Sequence, residues 1–156
     1  MKKGQEYNPD LPDGDGDCFV THAQFVLGLT FRSAPDIDRW RLCHGIAIGQ
    51  GPISGVEFAH CWLEKGIGDI YSTTVTDMSN GNDIYDLPAV VYYSIGNIAP
   101  STVMRYTAEE TRKNMLKHQH YGPWASLKSP TEEVRPERKP LKKVPKAASK
   151  RTKKAS

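Results

Sequence analysis

The pattern of apolar positions along this 156-residue chain changes from helical to strand-like shortly after Pro35. From Cys18 to Leu29 the apolar side chains form one broad helical stripe, and a neighbouring stripe adds His22 and Phe25. Asp17 directly precedes this segment and is a suitable N-cap. The pattern therefore predicts a largely buried helix that begins at Cys18.

Runs of strand-like residues follow, separated by turns rich in Gly, Pro and Asn. The predicted strands are roughly Leu42 to Ile48, Glu57 to Glu64, Ile70 to Asp77 and Ala89 to Tyr93. Thr107 followed three residues later by Glu110 is a capping box, which predicts a second helix near the C-terminus. These elements predict an α+β fold in which the N-terminal helix packs on an antiparallel sheet.

Charge divides the chain into two parts. Residues 126–156 hold eleven Lys or Arg and three Glu, a net charge of +8, whereas residues 1–125 hold ten basic and fifteen acidic residues, a net charge of −5. The last part also contains four prolines and no aromatic residue, so it cannot bury enough apolar surface to fold alone. We therefore predict a compact domain over 1–125, with 1–17 as an extended arm, and a disordered basic tail over 126–156.

The lysine-rich tail favours polyanions as partners, because lysines near a phosphate backbone release counterions. The alternative is a flexible tether. The residues predicted to bind DNA or RNA are Lys139, Lys142, Lys143, Lys146, Lys150, Arg151, Lys153 and Lys154.

The location of the protein is predicted from what its sequence lacks. The chain has no apolar run of membrane-spanning length, and its first ten residues have no apolar core of a signal peptide. Its three cysteines are an odd number, which argues against a disulfide framework. We therefore expect a cytoplasmic protein with free thiols and no membrane contact.

Three side chains could combine into a catalytic group. Cys18 starts a helix, where the positive end of the helix dipole favours a thiolate, although Asp17 opposes this effect. His60 begins a strand after a glycine-containing turn, and Asp77 ends the next strand. If the two strands pair as an antiparallel hairpin, Asp77 can orient the His60 imidazole beside the Cys18 thiol.

Three short segments carry a resemblance to a known superfamily. They read Gly16-Asp17-Cys18, His60-Cys61-Trp62-Leu63-Glu64 and Val75-Thr76-Asp77. Their order is similar to that in the transglutaminase-like branch of the papain-like cysteine enzymes. That branch has a helix-starting Cys, a strand reading His, small residue, Trp, any residue, Glu, and an Asp on the following strand. The resemblance spans about sixty residues, from Gly16 to Asp77.

The resemblance implies a papain-like core and a cysteine-dependent amide hydrolase or acyltransferase without a cofactor. Cys18 would be the nucleophile, His60 its general base and Asp77 the residue that orients His60, with Trp62 and His22 as substrate contacts. A backbone amide at Cys18 would help to form the oxyanion hole. The substrate would be a protein or peptide amide, which the enzyme cleaves, deamidates or transfers to an amine.

The chain departs from the superfamily pattern and leaves alternatives for two roles. Cys61 replaces the usual Ala, no Trp flanks the nucleophile and no Gln shortly precedes it. His22, one helical turn after Cys18, is a rival base. Glu64 and Asp69 are rival carboxylates, although Glu64 lies roughly 13 Å from His60 along a strand.

The spacing of the possible metal ligands in the sequence does not favour a metal site. Cys43 and His44 are adjacent on one strand and His60 and Cys61 on another, so each pair points to opposite faces and cannot converge on zinc. Asp13, Asp15 and Asp17 resemble the start of a calcium loop, but its sixth position is not Gly and its twelfth is not Glu. We therefore predict no metal.

A non-enzymatic function is the competing hypothesis. In that case the acidic domain binds a protein partner, while the basic tail holds DNA or RNA.

Overall fold

The computed structural model describes residues 17–66, 68–79 and 83–129, which form an α+β fold of three helices and a five-stranded antiparallel sheet. The predicted packing of an N-terminal helix on an antiparallel sheet is confirmed. The elements in chain order are α1 (Cys18–Phe31), β1 (Trp40–Ile48), β2 (Glu57–Lys65), β3 (Thr74–Asp77), β4 (Ile84–Pro88), α2 (Ala89–Ile95), β5 (Met104–Tyr106) and α3 (Ala108–His118).

The sheet has the strand order β4-β3-β2-β1-β5. β1 and β2 form a hairpin paired along its whole length, from Trp40 opposite Lys65 to Ile48 opposite Glu57. β3, by contrast, pairs with β2 only over residues 63–65. The first half of β2 therefore extends beyond the end of β3, which makes room for another element beside it.

Successive side chains of β2 point to opposite faces of the sheet and pack in two separate cores. Cys61 and Leu63 face α1 and α3, where they pack in one cluster with Ala23 and Val26. Trp62 faces the opposite side of the sheet and packs in a second cluster, with residues of α2. Helices therefore cover both faces of the central strands.

The predicted strand from Ala89 to Tyr93 is wrong, because this segment begins α2. Its β-branched and aromatic residues favour a strand by propensity. However, the buried side chains are Ala89, Tyr92 and Tyr93, at the i, i+3 and i+4 spacing of a helix, while Val90 and Val91 are exposed. Packing against the sheet decides the conformation here.

The predicted strand from Ile70 to Asp77 is correct only in its second half, from Thr74. The Asp69 carboxylate accepts hydrogen bonds from the backbone N–H groups of Tyr71 and Ser72, at 2.8 and 2.9 Å. This local arrangement holds the preceding residues in a turn.

The capping box at the start of α3 is confirmed. The Glu110 N–H donates to the Thr107 hydroxyl at 3.2 Å, and the Thr107 N–H donates to the Glu110 carboxylate at 2.8 Å. No helix in the described ranges has the length and apolar character needed to cross a bilayer.

The described chain continues past the predicted domain boundary at residue 125, and the Ser129 hydroxyl donates to the Glu57 carboxylate at 2.7 Å. Residues 1–16 of the predicted arm and residues 130–156 of the predicted tail lie outside the described residues, as do residues 67 and 80–82. The same is true of all eight residues predicted to bind nucleic acid, Lys139, Lys142, Lys143, Lys146, Lys150, Arg151, Lys153 and Lys154.

Candidate active site

Cys18 is the first residue of α1, as the sequence predicts, and Asp17 occupies the N-cap position. The helix packs on the core through the buried side chains of Phe19, Ala23 and Val26. The Asp17 side chain makes no capping hydrogen bond among the described residues, so it leaves the first-turn N–H groups of α1 uncapped. The position of the thiol is therefore set mainly by packing of the helix.

His22 fixes the first turn of α1 to the end of β3. Its Nδ1–H donates to the Cys18 carbonyl oxygen at 2.7 Å, and its Nε2 accepts from the Met78 backbone N–H at 3.0 Å. Both ring nitrogens are thus used and the ring is neutral, in agreement with a pKa that burial lowers. This contact brings the Cys18 end of α1 next to Asp77.

Asp77 and His60 form a buried pair across β3 and β2. The His60 Nε2–H donates to Asp77 Oδ2 at 2.9 Å. The other carboxylate oxygen, Oδ1, accepts from the Ser79 hydroxyl at 2.7 Å and from its N–H at 3.1 Å. Burial raises the pKa of Asp77, but the hydrogen bond and charge of His60 outweigh it and hold that pKa well below its usual range.

His60 also interacts with Cys18. Because Asp77 occupies Nε2, Nδ1 is the ring nitrogen left for the thiol. Burial lowers the pKa of His60, but hydrogen bonds with Asp77 and Cys18, together with their charges, raise it to about 9. Cys18 and His60 are both buried, with 9% of each residue still exposed.

A fourth side chain, Tyr92 of α2, belongs to this cluster and was missed by sequence reasoning. Its hydroxyl donates to Asp77 Oδ2 at 2.8 Å and lies 3.1 Å from His60 Nε2. Burial and the Asp77 carboxylate raise the pKa of Tyr92, which keeps the phenol neutral. The i, i+3, i+4 spacing of Ala89, Tyr92 and Tyr93 was the signal that could have placed it on a helix facing the sheet.

The two residues predicted as substrate contacts do not face an open surface. His22 is fully buried, and its ring nitrogens are engaged with Cys18 and Met78, so it serves neither as a substrate contact nor as a rival base. Trp62 is also fully buried and stacks on the His60 ring, with centroids 5.9 Å apart. Both residues instead pack in the interior, His22 against Cys18 and Trp62 against His60.

Neither rival carboxylate approaches His60. Glu64 accepts from Arg105 Nε at 2.8 Å and from the Tyr93 hydroxyl, which commits it to a separate buried network. Asp69 lies in an exposed turn. Asp77 is therefore the carboxylate that orients His60.

The three cysteines differ in their surroundings, although all are free thiols. Cys43 and Cys61 are fully buried, and burial raises the pKa of each well above its usual value. His44 pairs opposite Cys61 on the same face, but the described residues contain no group of three metal ligands. Cys18 is buried as well, but it is 9% exposed instead of 0%, and the His60 imidazole interacts with it.

No family model, curated protein or solved structure matches this chain.

Proposed function

We propose that this protein is a small cysteine-dependent amide hydrolase or acyltransferase with a papain-like, transglutaminase-like core. Cys18 is the nucleophile, His60 the proton carrier and Asp77 the residue that orients His60. The observation that carries the proposal is the placement of His60, which interacts with Cys18 and donates from Nε2 to Asp77 at 2.9 Å. A thiol, an imidazole and a carboxylate in this order are the parts of a nucleophilic triad.

The first half of the reaction is acyl transfer to the thiol. A pKa of about 9 keeps His60 protonated at neutral pH, and an imidazolium beside a thiol favours the thiolate. Cys18 Sγ attacks the amide carbonyl carbon, while N–H groups at the start of α1 stabilise the developing oxyanion. His60 then donates its proton to the leaving nitrogen, the C–N bond breaks and a thioester remains on Cys18.

The second half releases the acyl group. Neutral His60 accepts a proton from water or from an amine as that nucleophile attacks the thioester, and the thiolate leaves. Water gives hydrolysis of a peptide bond or deamidation of a glutamine, whereas an amine gives transfer. Asp77 stays ionised throughout and stabilises the imidazolium whenever it forms.

Selective alkylation tests the proposal before a substrate is identified. Iodoacetamide at pH 7 should modify Cys18 of the folded protein before the other two cysteines, because His60 interacts with its thiol. Cys43 and Cys61 should react only after unfolding, since both are fully buried. Peptide mass spectrometry of time points gives each rate. Faster modification of Cys43 or Cys61 than of Cys18 in the folded protein would contradict the proposal.

The charge of the tail supports a second, compatible function, which is binding of a polyanion. Removal of residues 130–156 should abolish binding to a single-stranded oligonucleotide, and the full chain should bind with a steep inverse dependence on salt. The cut belongs after Ser129, because Ser129 still contacts Glu57 in the domain. Fluorescence anisotropy at several salt concentrations measures both effects. Unchanged binding by the truncated chain would rule out the tail as the binding element.

A further inference from the structure

Two adjacent tyrosines on α2 bind two different buried carboxylates. The Tyr92 hydroxyl donates to Asp77, whereas the Tyr93 hydroxyl donates to Glu64 and accepts from Arg105 Nη2 at 2.9 Å. The two side chains share a helix, a chemical type and nearly complete burial, at 8% and 4% exposed. They differ in the carboxylate that each one reaches and in that carboxylate's partner, which is His60 for Tyr92 and Arg105 for Tyr93.

The Tyr92 hydroxyl touches both members of the His60–Asp77 pair. It donates to Oδ2, the same carboxylate oxygen that accepts from His60 at 2.9 Å, and its own oxygen lies 3.1 Å from His60 Nε2. Ser79 holds the other oxygen, Oδ1. With both oxygens bound, the plane of the carboxylate is fixed, and Oδ2 stays directed at the imidazole.

From these contacts we infer that Tyr92 is a positioning residue of the site, which holds Asp77 Oδ2 against His60 and thereby keeps the imidazole protonated next to Cys18. The inference rests on the proposed function for its catalytic meaning. The effect of Tyr92 on the protonation of His60 does not depend on that function. Tyr92 itself exchanges no proton in the reaction, because its phenol stays neutral.

Loss of the hydroxyl leaves Oδ2 with His60 as its single partner among the contacts described above. Ser79 still holds Oδ1, but Oδ2 loses one of the two hydrogen bonds that direct it, and its attraction for the imidazolium weakens. Since burial of His60 opposes its charge, any weakening of the Asp77 contact lowers the proton affinity of the ring. Loss of the Tyr93 hydroxyl changes the Glu64–Arg105 network and leaves these contacts in place.

The test compares Tyr92→Phe with the matched control Tyr93→Phe in the full chain. NMR titration of the His60 ring should give a midpoint about one pH unit lower in Tyr92→Phe than in the wild type, and an unchanged midpoint in Tyr93→Phe. The rate of Cys18 alkylation near pH 8 should fall in Tyr92→Phe only. Thermal melts should show similar losses of stability in the two variants, because each removes one buried hydroxyl.

Equal midpoints in all three proteins, or equal shifts in the two variants, would overturn the positioning role. The wild type alone provides a second measurement if Tyr92→Phe does not fold. Nuclear Overhauser contacts should connect the His60 and Tyr92 rings, and their absence would also overturn the inference. A missing amide-directed activity with the predicted midpoints in place would count against the proposed function and not against Tyr92.

Discussion

Replacement of Cys18 by Ala should lower the rate of acyl transfer by at least about 10⁴-fold, because it removes the atom that forms the thioester. The first measurement is the burst of p-nitrophenol released from p-nitrophenyl acetate, which reports acylation of a nucleophile. Mass spectrometry should find the acetyl group on Cys18 of the wild type. Three amide assays then separate the possible reactions: cleavage of casein, ammonia release from a glutamine peptide, and incorporation of monodansylcadaverine into casein.

Cys61→Ala is the matched control for this experiment. Cys61 packs in the same core cluster as Cys18, but it is fully buried and faces away from His60 on its strand. The substitution removes one thiol from the same region and should leave the burst within about threefold of the wild type, since the Cys61 side chain lies on the face of the strand opposite to His60. A full burst in Cys18→Ala, or its loss in Cys61→Ala only, would refute the assignment of the nucleophile.

The His60–Asp77 contact could be predicted from the sequence because strand pairing is a local property. The sequence places His60 beside Asp77 on the condition that β2 and β3 pair as antiparallel neighbours, and the structure pairs the two strands and brings the two side chains into contact. The approach of Cys18 to His60, by contrast, depends on tertiary packing. It depends on the short pairing of β3 with β2 and on the His22–Met78 contact, neither of which has a sequence pattern.

The sequence did not identify Tyr92, because the segment that carries it was predicted as a strand and is a helix. The run from Ala89 to Tyr93 is rich in strand-forming residues, so intrinsic propensity predicts a strand. Burial of one face of α2 against the sheet overrides that propensity and brings Tyr92 to Asp77. His22 and Trp62 were predicted to contact substrate, but both are fully buried. Their complete burial was not predictable, because it depends on which layers cover them.

Replacement of Asp77 by Asn should lower the same acyl-transfer rate by about 10³-fold while the chain still folds, because Asn keeps the shape of the side chain and removes its charge. Without the carboxylate, burial dominates and the pKa of His60 should fall from about 9 to below its ordinary value of 6.5. The imidazolium is then lost at neutral pH. NMR titration of the His60 ring measures this change directly, and alkylation of Cys18 at pH 7 should slow in parallel.

The free energy of unfolding should depend on pH because of the His60–Asp77 pair. The pKa of His60 is raised on folding, so its stabilisation is complete below about pH 6.5 and is lost as the pH rises through about 9. The pKa of Asp77 is lowered from 3.8, so its stabilisation is complete above that pH and is lost as the pH falls further. The free energy of unfolding of the wild type should therefore exceed that of Asp77→Asn most between about pH 4 and 6.5, by about 3 kcal/mol.

Glu64→Gln is the control that separates the effect of losing any buried carboxylate from the effect of losing Asp77. Glu64 is a buried carboxylate of β2 that accepts a hydrogen bond from Arg105 instead of His60. Its replacement should destabilise the fold by a similar amount, because it also breaks a buried ion pair. The midpoint of the His60 titration should stay near 9 in Glu64→Gln. If Asp77→Asn leaves that midpoint unchanged, or Glu64→Gln lowers it equally, the high proton affinity of His60 does not come from Asp77 and the triad fails.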